Sequence, residues 1–246
     1  MEKQTEQLVG KEQESQTPSS GIRFPLWKER ERLRQWVLRH QRWLLGIGAA
    51  VLVGVGGLLY WSSVQRERSE EAAVWLSRVY TYYDNGDYQR ALFGDTAKTV
   101  RGEPVRGLVA IVEEYKGTPA GKVAAFYAGS AYMLLGQVSK AQPYFEIAAK
   151  SEAPLVQVGA YAGLAACKEE EGKLSEAAQL YERAALIGTP MGMAERYRFF
   201  AAYCYELAGN AQKAAQLYRQ ILTENEFSDF ASEAKAGLAR LGIVVE

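Results

Sequence analysis

Apolar and polar residues alternate in four successive regimes along the chain. The first 21 residues (MEKQTEQLVGKEQESQTPSSG) are polar and lack aromatics, a composition that predicts a disordered tail over 1–21. From Trp27 to Arg42 apolar positions return at helical spacing. Leu33, Trp36, Val37, His40 and Trp43–Leu44 share one face, and basic residues lie between them, so 22–42 is expected to form a basic amphipathic juxtamembrane helix. Residues 43–61 then read WLLGIGAAVLVGVGGLLYW, with no charge between Arg42 and Arg66. Beyond residue 62 the apolar positions recur as paired helices.

The 19 residues of 43–61 rise about 28 Å as a helix, close to the thickness of a hydrocarbon core. Nine of them are Leu, Ile or Val, and Trp43, Tyr60 and Trp61 stand at the ends, where amphipathic rings favour the headgroup level. A signal peptide would have a shorter apolar stretch and a small-residue cleavage site, whereas Trp61 is followed by SSVQRERS. A soluble core helix is rarely apolar around its whole circumference. The segment therefore reads as a transmembrane helix. Seven basic residues against two acidic ones between Arg23 and Arg42 orient it with the N-terminus in the cytoplasm. The larger C-terminal part then lies on the outer face, which in a bacterium is the periplasm. The basic segment suits either a helix lying on the anionic inner leaflet or a charge signal for topology alone. Its place beside the span favours these lipid roles over RNA binding, so no nucleic-acid partner is expected. Gly46, Ala50 and Gly54 share a face of the span; they form either a helix-contact stripe or the ordinary small-residue content of such helices.

After the span, three stretches align: AAFYAGSAYMLLGQVSKAQPYFEIAAK (124–150), GAYAGLAACKEEEGKLSEAAQLYERAA (159–185) and RFFAAYCYELAGNAQKAAQLYRQIL (198–222). Gly136, Gly172 and Gly209 close the first helix of each, Ala141, Ala177 and Ala214 follow five residues later, and Phe145, Tyr181 and Tyr218 four after those. Glycine permits the left-handed residue of a tight turn. The alanine lets two helices touch, and the aromatic fills the space beside it. One such hairpin cannot bury its apolar face alone, so the units must stack. An earlier copy, AAVWLSRVYTYYDNGDYQRAL (72–92), has Gly86 and Ala91 in these roles, with a 50-residue step from Gly86 to Gly136. That step leaves room for an insertion at 93–117, expected to hold a helix from Pro104 to Tyr115. Repeats are placed near 70–92, 118–150, 154–187 and 190–224. Thr118-Pro119 and Thr189-Pro190 each supply a capping hydroxyl before a proline, and Pro154 marks another start. Ser228 is expected to cap a last helix over 228–241. Proline otherwise falls at punctuation points, and the chain is predicted to be all-α.

These stretches resemble tetratricopeptide repeats, whose usual period is about 34 residues. Gly129, Tyr132, Gly136, Ala141, Phe145 and Ala148 match the repeat's preferred residues in the best copy. Ala165, Ala177, Tyr181 and Ala184 match in the next, and Ala202, Tyr205, Ala214 and Tyr218 in the last. The signature tryptophan is missing from all three and the capping proline is shifted. With its short cytoplasmic tail, single span and outer repeat domain, the chain resembles the YfgM-like ancillary subunits of the SecYEG translocon. The stretch EYKGTPAGKVAAFYAGSAYMLLG (114–136) is similar to the Bacteroidetes and Chlorobi form. The resemblance implies an inner-membrane scaffold that meets translocon subunits, periplasmic chaperones or exported polypeptides. Rival roles are self-association, as a homo-oligomer, and an adaptor in cell division or outer-membrane assembly.

Repeats of this type bind along a wall made by the first helix of each hairpin. Carried over by register, the wall comprises Phe126, Ser130, Met133 and Leu134, then Ala162, Glu169 and Glu170, then Arg196, Phe199, Tyr203 and Glu206. It would be apolar at one end and acidic at the other, suited to an extended or helical peptide. Phe126 and Phe199 have the competing role of packing against neighbouring helices. The Lys and Asn residues with which some relatives clamp a carboxylate are absent from these positions, which disfavours an acidic C-terminus as ligand. Equal numbers of basic and acidic residues, 29 each, add no preference among partners. One histidine and two cysteines (Cys167, Cys204) give neither a disulfide framework nor a zinc set. No metal, cofactor or catalytic group is expected. The cysteines occupy equivalent places in successive repeats, roughly 10 Å apart as packed helices are, too far for a bridge. Free, buried thiols follow.

Overall fold

The computed structural model describes residues 26–100 and 102–244; the tail expected over 1–21 lies outside them. The chain divides into two units, Met1–Leu58 and Leu59–Glu246. Helix α1 (Leu26–Asp84) contributes residues to both.

In the first unit the side chains of the apolar run are open. Leu45, Leu52, Val53 and Leu58 are each more than two-thirds exposed. An 18-residue window in Leu45–Asp84 reaches a mean hydropathy of 1.7 with none of it buried, the single stretch among the described residues long and apolar enough to cross a membrane. Gly46, Ala50 and Gly54 are exposed as well, and a Cβ at either glycine would meet nothing within 4 Å.

The second unit is an α-solenoid whose repeats are set by their turns. At Gly136 (φ 69°) the amide bonds to Met133 O at 2.9 Å, and the next amide, of Gln137, bonds to Tyr132 O at 2.8 Å. This paired closure satisfies carbonyls that the helix end would leave orphaned. The same two bonds recur around Gly86, Gly172, Gly209 and Gly242. Hairpins follow: the end of α1 with α2 (Tyr88–Phe93), α4 (Pro119–Leu134) with α5 (Val138–Ala148), α6 (Pro154–Glu170) with α7 (Leu174–Gly188), and α8 (Ala194–Leu207) with α9 (Ala211–Glu224). Helix α10 (Ala231–Arg240) ends in the same glycine turn, so it is the first helix of a fifth unit. Its exposed positions are Ser232, Glu233, Lys235, Ala236, Ala239 and Arg240, a mostly polar face that closes the stack.

Within each hairpin the five-residue glycine-to-alanine spacing puts Ala91, Ala141, Ala177 and Ala214 in full burial. The aromatic a turn later bridges to the next unit. Phe145 covers both Gly129 and Gly163, where an added Cβ would sit 2.9 Å and 2.5 Å from ring atoms; Tyr218 covers Gly237 at 2.4 Å. Tyr181 meets the Phe200 ring at 5.4 Å instead. Ala72, Trp75 and Val79 of α1 lie in the same core as Leu108, Ile111, Val112 and Tyr115. A second core spans α6 to α10, and Tyr161 and Leu180 pack against both.

Several expectations are corrected. The juxtamembrane, spanning and first repeat helices are one element within Leu26–Asp84, with no helix boundary at 42 or 61, because no proline or turn-forming pair interrupts the hydrogen-bond ladder there. The insertion does not form a helix from Pro104. Instead β1 (Gly94–Val100) pairs antiparallel with β2 (Glu103–Arg106), and α3 runs Leu108–Tyr115. A Cβ at Gly94 would lie 2.2 Å from Val105 O, and Pro104, which has no N–H to donate, is tolerated in a two-stranded edge. Among the described residues the fold is all-α apart from this hairpin. Thr118 caps α4, its hydroxyl accepting from the Gly121 amide at 3.0 Å. Thr189 caps nothing: its hydroxyl donates to Ala185 O at 3.0 Å, residues 189–191 form a 3-10 turn, and α8 begins at Ala194. Ser228 tightens a turn by accepting from the Phe230 amide, so α10 begins three residues later than expected. Proline is not confined to boundaries, since Pro143 lies inside α5.

Candidate functional site

Equivalent residues of the first helices are found by counting back from each turn glycine. Ten, six, three and two residues before it stand Leu76, Tyr80, Tyr83 and Asp84 in the first repeat, and Phe126, Ser130, Met133 and Leu134 in the second. The third has Ala162, Ala166, Glu169 and Glu170; the fourth has Phe199, Tyr203, Glu206 and Leu207. This register holds because every first helix ends in the same closure, so the faces that α1, α4, α6 and α8 present are comparable residue by residue.

Some of these side chains pack between repeats. Phe126 is half-buried and fills the space beside Gly159, where a Cβ would fall 2.5 Å from its ring. Phe199 stacks near Phe200, Tyr203, Tyr218 and Phe230, with centroids 5.5–6.4 Å apart. Met133 receives Cys167 Sγ at 3.8 Å. Ala162 and Ser130 are half-buried, while Leu134, Glu170, Arg196 and Tyr203 are exposed.

The two wall glutamates three residues before the glycines form a recurring buttress. Tyr181 donates its hydroxyl to Glu169 at 2.5 Å, and Tyr218 to Glu206 at 2.7 Å. Arg240 completes the latter with a two-pronged contact of 2.6 and 2.9 Å. The guanidinium first, then the Tyr218 hydroxyl, holds the Glu206 carboxyl below the usual carboxylate range. Desolvation, and then the facing carboxylate, push Tyr181 and Tyr218 well above the ordinary phenol value. In the second repeat Phe145 and Met133 stand at the tyrosine and glutamate positions, so this hydrogen bond has no counterpart there. Glu169 and Glu206 thus serve the stack, and Asp84 and Glu170 are the wall carboxylates left facing solvent.

Both cysteines are free and buried. Each lies five residues before its glycine and reaches back to the preceding repeat, Cys204 to Glu169 Oε1 at 3.4 Å and Cys167 to Met133 Sδ at 3.8 Å. Burial pushes the Cys167 thiol up to about 11; burial and then the Glu169 charge push Cys204 up to about 12. These are inert thiols. Among the described residues no group of three His, Cys, Asp or Glu could hold a metal ion.

Sequence reasoning missed the aromatic end of the wall. Tyr80 and Tyr83 of α1 meet Tyr127 of α4 edge-on at 5.2 and 5.1 Å, and Tyr127 meets Phe126 at 5.5 Å. Tyr80 is 40% exposed, which makes it an accessible ring on this wall. The signal was present, because Gly86 fixes the same count-back, but the insertion after Ala91 hid the first repeat's place in the wall.

A profile of the tetratricopeptide repeat matches residues 126–191. That span runs from within α4 to the end of the 3-10 turn and so contains two hairpins. No curated protein matches the chain. Among solved structures, the nearly identical TPR-like repeats of a Podosopora anserina protein described as a putative kinesin light chain are similar in form. A glutamine-to-methionine variant of those repeats shares 19% identity over 70% of this chain and 85% of that one, with a TM-score of 0.49. A second structure of the repeats gives 17%, 70%, 86% and 0.48. Tetratricopeptide repeats are generally protein-interaction modules.

Proposed function

We infer that this protein is a membrane-anchored, non-enzymatic scaffold that holds other proteins against the first-helix wall of its repeats. The observation that carries this reading is the division of labour in the wall. Glu169, Glu206, Phe126 and Phe199 are committed to packing, which leaves Tyr80, Leu134, Tyr203 and Leu207 exposed beside the charges of Asp84, Glu170 and Arg196. Such a surface suits an extended or helical segment with apolar and aromatic side chains. The apolar run at residues 43–61 serves as the anchor, with the basic flank in the cytoplasm and the repeats outside. In a bacterial inner membrane this puts the wall in the periplasm, where exported polypeptides and chaperones pass beside the Sec translocon. Self-association through Gly46, Ala50 and Gly54, and an adaptor role in division or outer-membrane assembly, are the competing uses of the same architecture.

The test is photocrosslinking in membranes from positions 54 and 203, with captured proteins identified by mass spectrometry. Tyr203 is exposed on the wall, so a probe at that position faces a bound partner. Translocon subunits at 54 with a chaperone or exported chain at 203 are the expected result. Capture of the protein's own copies alone, abolished by Gly46→Ile, would replace the export scaffold with a self-associating one.

A further inference from the structure

Where α1 leaves the apolar run, its residues build one wall of a cleft of ≈ 300 Å³ against the start of α4 and the turn before α6. Trp61, Gln65, Arg66 and Ser69 come from α1, and Lys122 and Glu152 face them. The arrangement is held in place: the Ala120 amide donates to Ser69 Oγ at 3.3 Å, tying α4 to α1. The volume lies at the small end of ligand sites, enough for a polar headgroup and too little for a folded segment.

Its chemistry is that of a zwitterion. Arg66 and Lys122 bring two positive charges to the cleft and Glu152 one negative charge. Arg66 pairs with Glu70 at 3.2 Å, and both partners are largely exposed, so that pair is weak and readily exchanged. Gln65 Oε1 is buried without a hydrogen-bond partner, an acceptor that a ligand N–H would satisfy. Trp61 closes the side next to the apolar run, as interfacial tryptophans do.

We propose that this cleft binds the headgroup of a membrane phospholipid bearing a primary ammonium, of the phosphatidylethanolamine type. Arg66 and Lys122 take the phosphate, and Glu152 and Gln65 Oε1 accept hydrogen bonds from the ammonium. Trp61 rests at the acyl boundary. A trimethylammonium headgroup has no N–H to donate, so the site discriminates ethanolamine from choline through Glu152. The proposal rests on the reading of residues 43–61 as a span.

The experiment uses the full chain in nanodiscs of equal parts phosphatidylethanolamine, phosphatidylcholine and phosphatidylglycerol, with retained lipid read by native mass spectrometry. Resistance of the membrane-bound chain to carbonate extraction is measured first, because its loss would remove the anchor and with it the reading beneath the proposal. With the anchor intact, ethanolamine lipid should be retained roughly tenfold over choline lipid, the scale of one charge-assisted hydrogen bond. Glu152→Gln should erase that preference with helicity unchanged, and Lys122→Glu should lower retention of all three lipids. Equal retention of the three, a preference for the glycerol lipid, or an ethanolamine preference that survives Glu152→Gln would each overturn the proposal.

Discussion

Phe145 lies over two glycines, and Gly163 shows what that contact requires. A methyl group there would lie 2.5 Å from the ring, so Gly163→Ala should cost about 1–3 kcal/mol by overpacking. Gly117, where a Cβ meets nothing within 4 Å and φ is not positive, is the control; Gly117→Ala should stay within about 0.5 kcal/mol. Denaturant unfolding of both variants compares them directly. The tyrosine–glutamate buttress makes a second residue-scale prediction. Tyr181→Phe removes the hydroxyl that the half-buried Glu169 accepts, and stability should fall by about 1–3 kcal/mol. The thiols supply a third. With Cys167 up to about 11 and Cys204 up to about 12, roughly one thiol in a thousand or fewer is ionised at pH 8. Native labelling should be slower than that of an exposed cysteine by at least about a hundredfold. Both should react after denaturation without reductant; a denatured chain in which neither reacts would contradict the free-thiol structure.

A repeated helix is defined here by how it stops. The residue at Gly136 is left-handed with open space around it, so Gly136→Ala meets no neighbour and still incurs the backbone penalty, about 1–2 kcal/mol. This separates it from Gly163, where the backbone is ordinary and the neighbour objects. The two mechanisms predict different responses to a shortened Phe145. Phe145→Leu should relieve part of the Gly163→Ala penalty and none of that at Gly136, which a double-mutant cycle reads. Elements whose ends rest on long-range contacts were poorly legible in sequence. The aromatic position four residues after Ala91 is held by Asp95, which lies in β1 and accepts the Tyr82 hydroxyl at 2.8 Å. A helix that loses its bridging aromatic ends early, and the chain turns into the hairpin. Thr189-Pro190 failed as a start signal because the hydroxyl bonded backward to Ala185 O as α7 ran on to Gly188.

Across the repeat unit, buried groups with raised pKa values couple stability to pH. Each buried thiol is kept neutral in the folded chain and ionises in the unfolded one near 9, the ordinary value. The unfolded state therefore binds fewer protons above that pH, and stability is lost as pH rises. By pH 10 the loss is about 1.4 kcal/mol per thiol, and the tyrosines add to it above pH 10. Urea midpoints at pH 7.5 and 10 should show this decline, and Cys204→Ser should reduce it. The whole chain should resist carbonate extraction from membranes, while a chain beginning at Ser62 should not, if the exposed apolar run is the anchor.

The turn glycines and the buried alanines were legible in sequence because each answers to a local requirement: a left-handed backbone, a close helix contact. The register of the first-helix wall followed from the same glycines. Tertiary structure decided which wall residues are free. Glu169 and Glu206 read as an acidic surface until Tyr181, Tyr218 and Arg240 arrive from other helices to take their oxygens, and Phe126, open in sequence to ligand contact or packing, is settled by Gly159 of the next repeat, which leaves a space for its ring. Those choices depend on side chains 12 to 34 residues away in sequence, brought close only when the repeats stack.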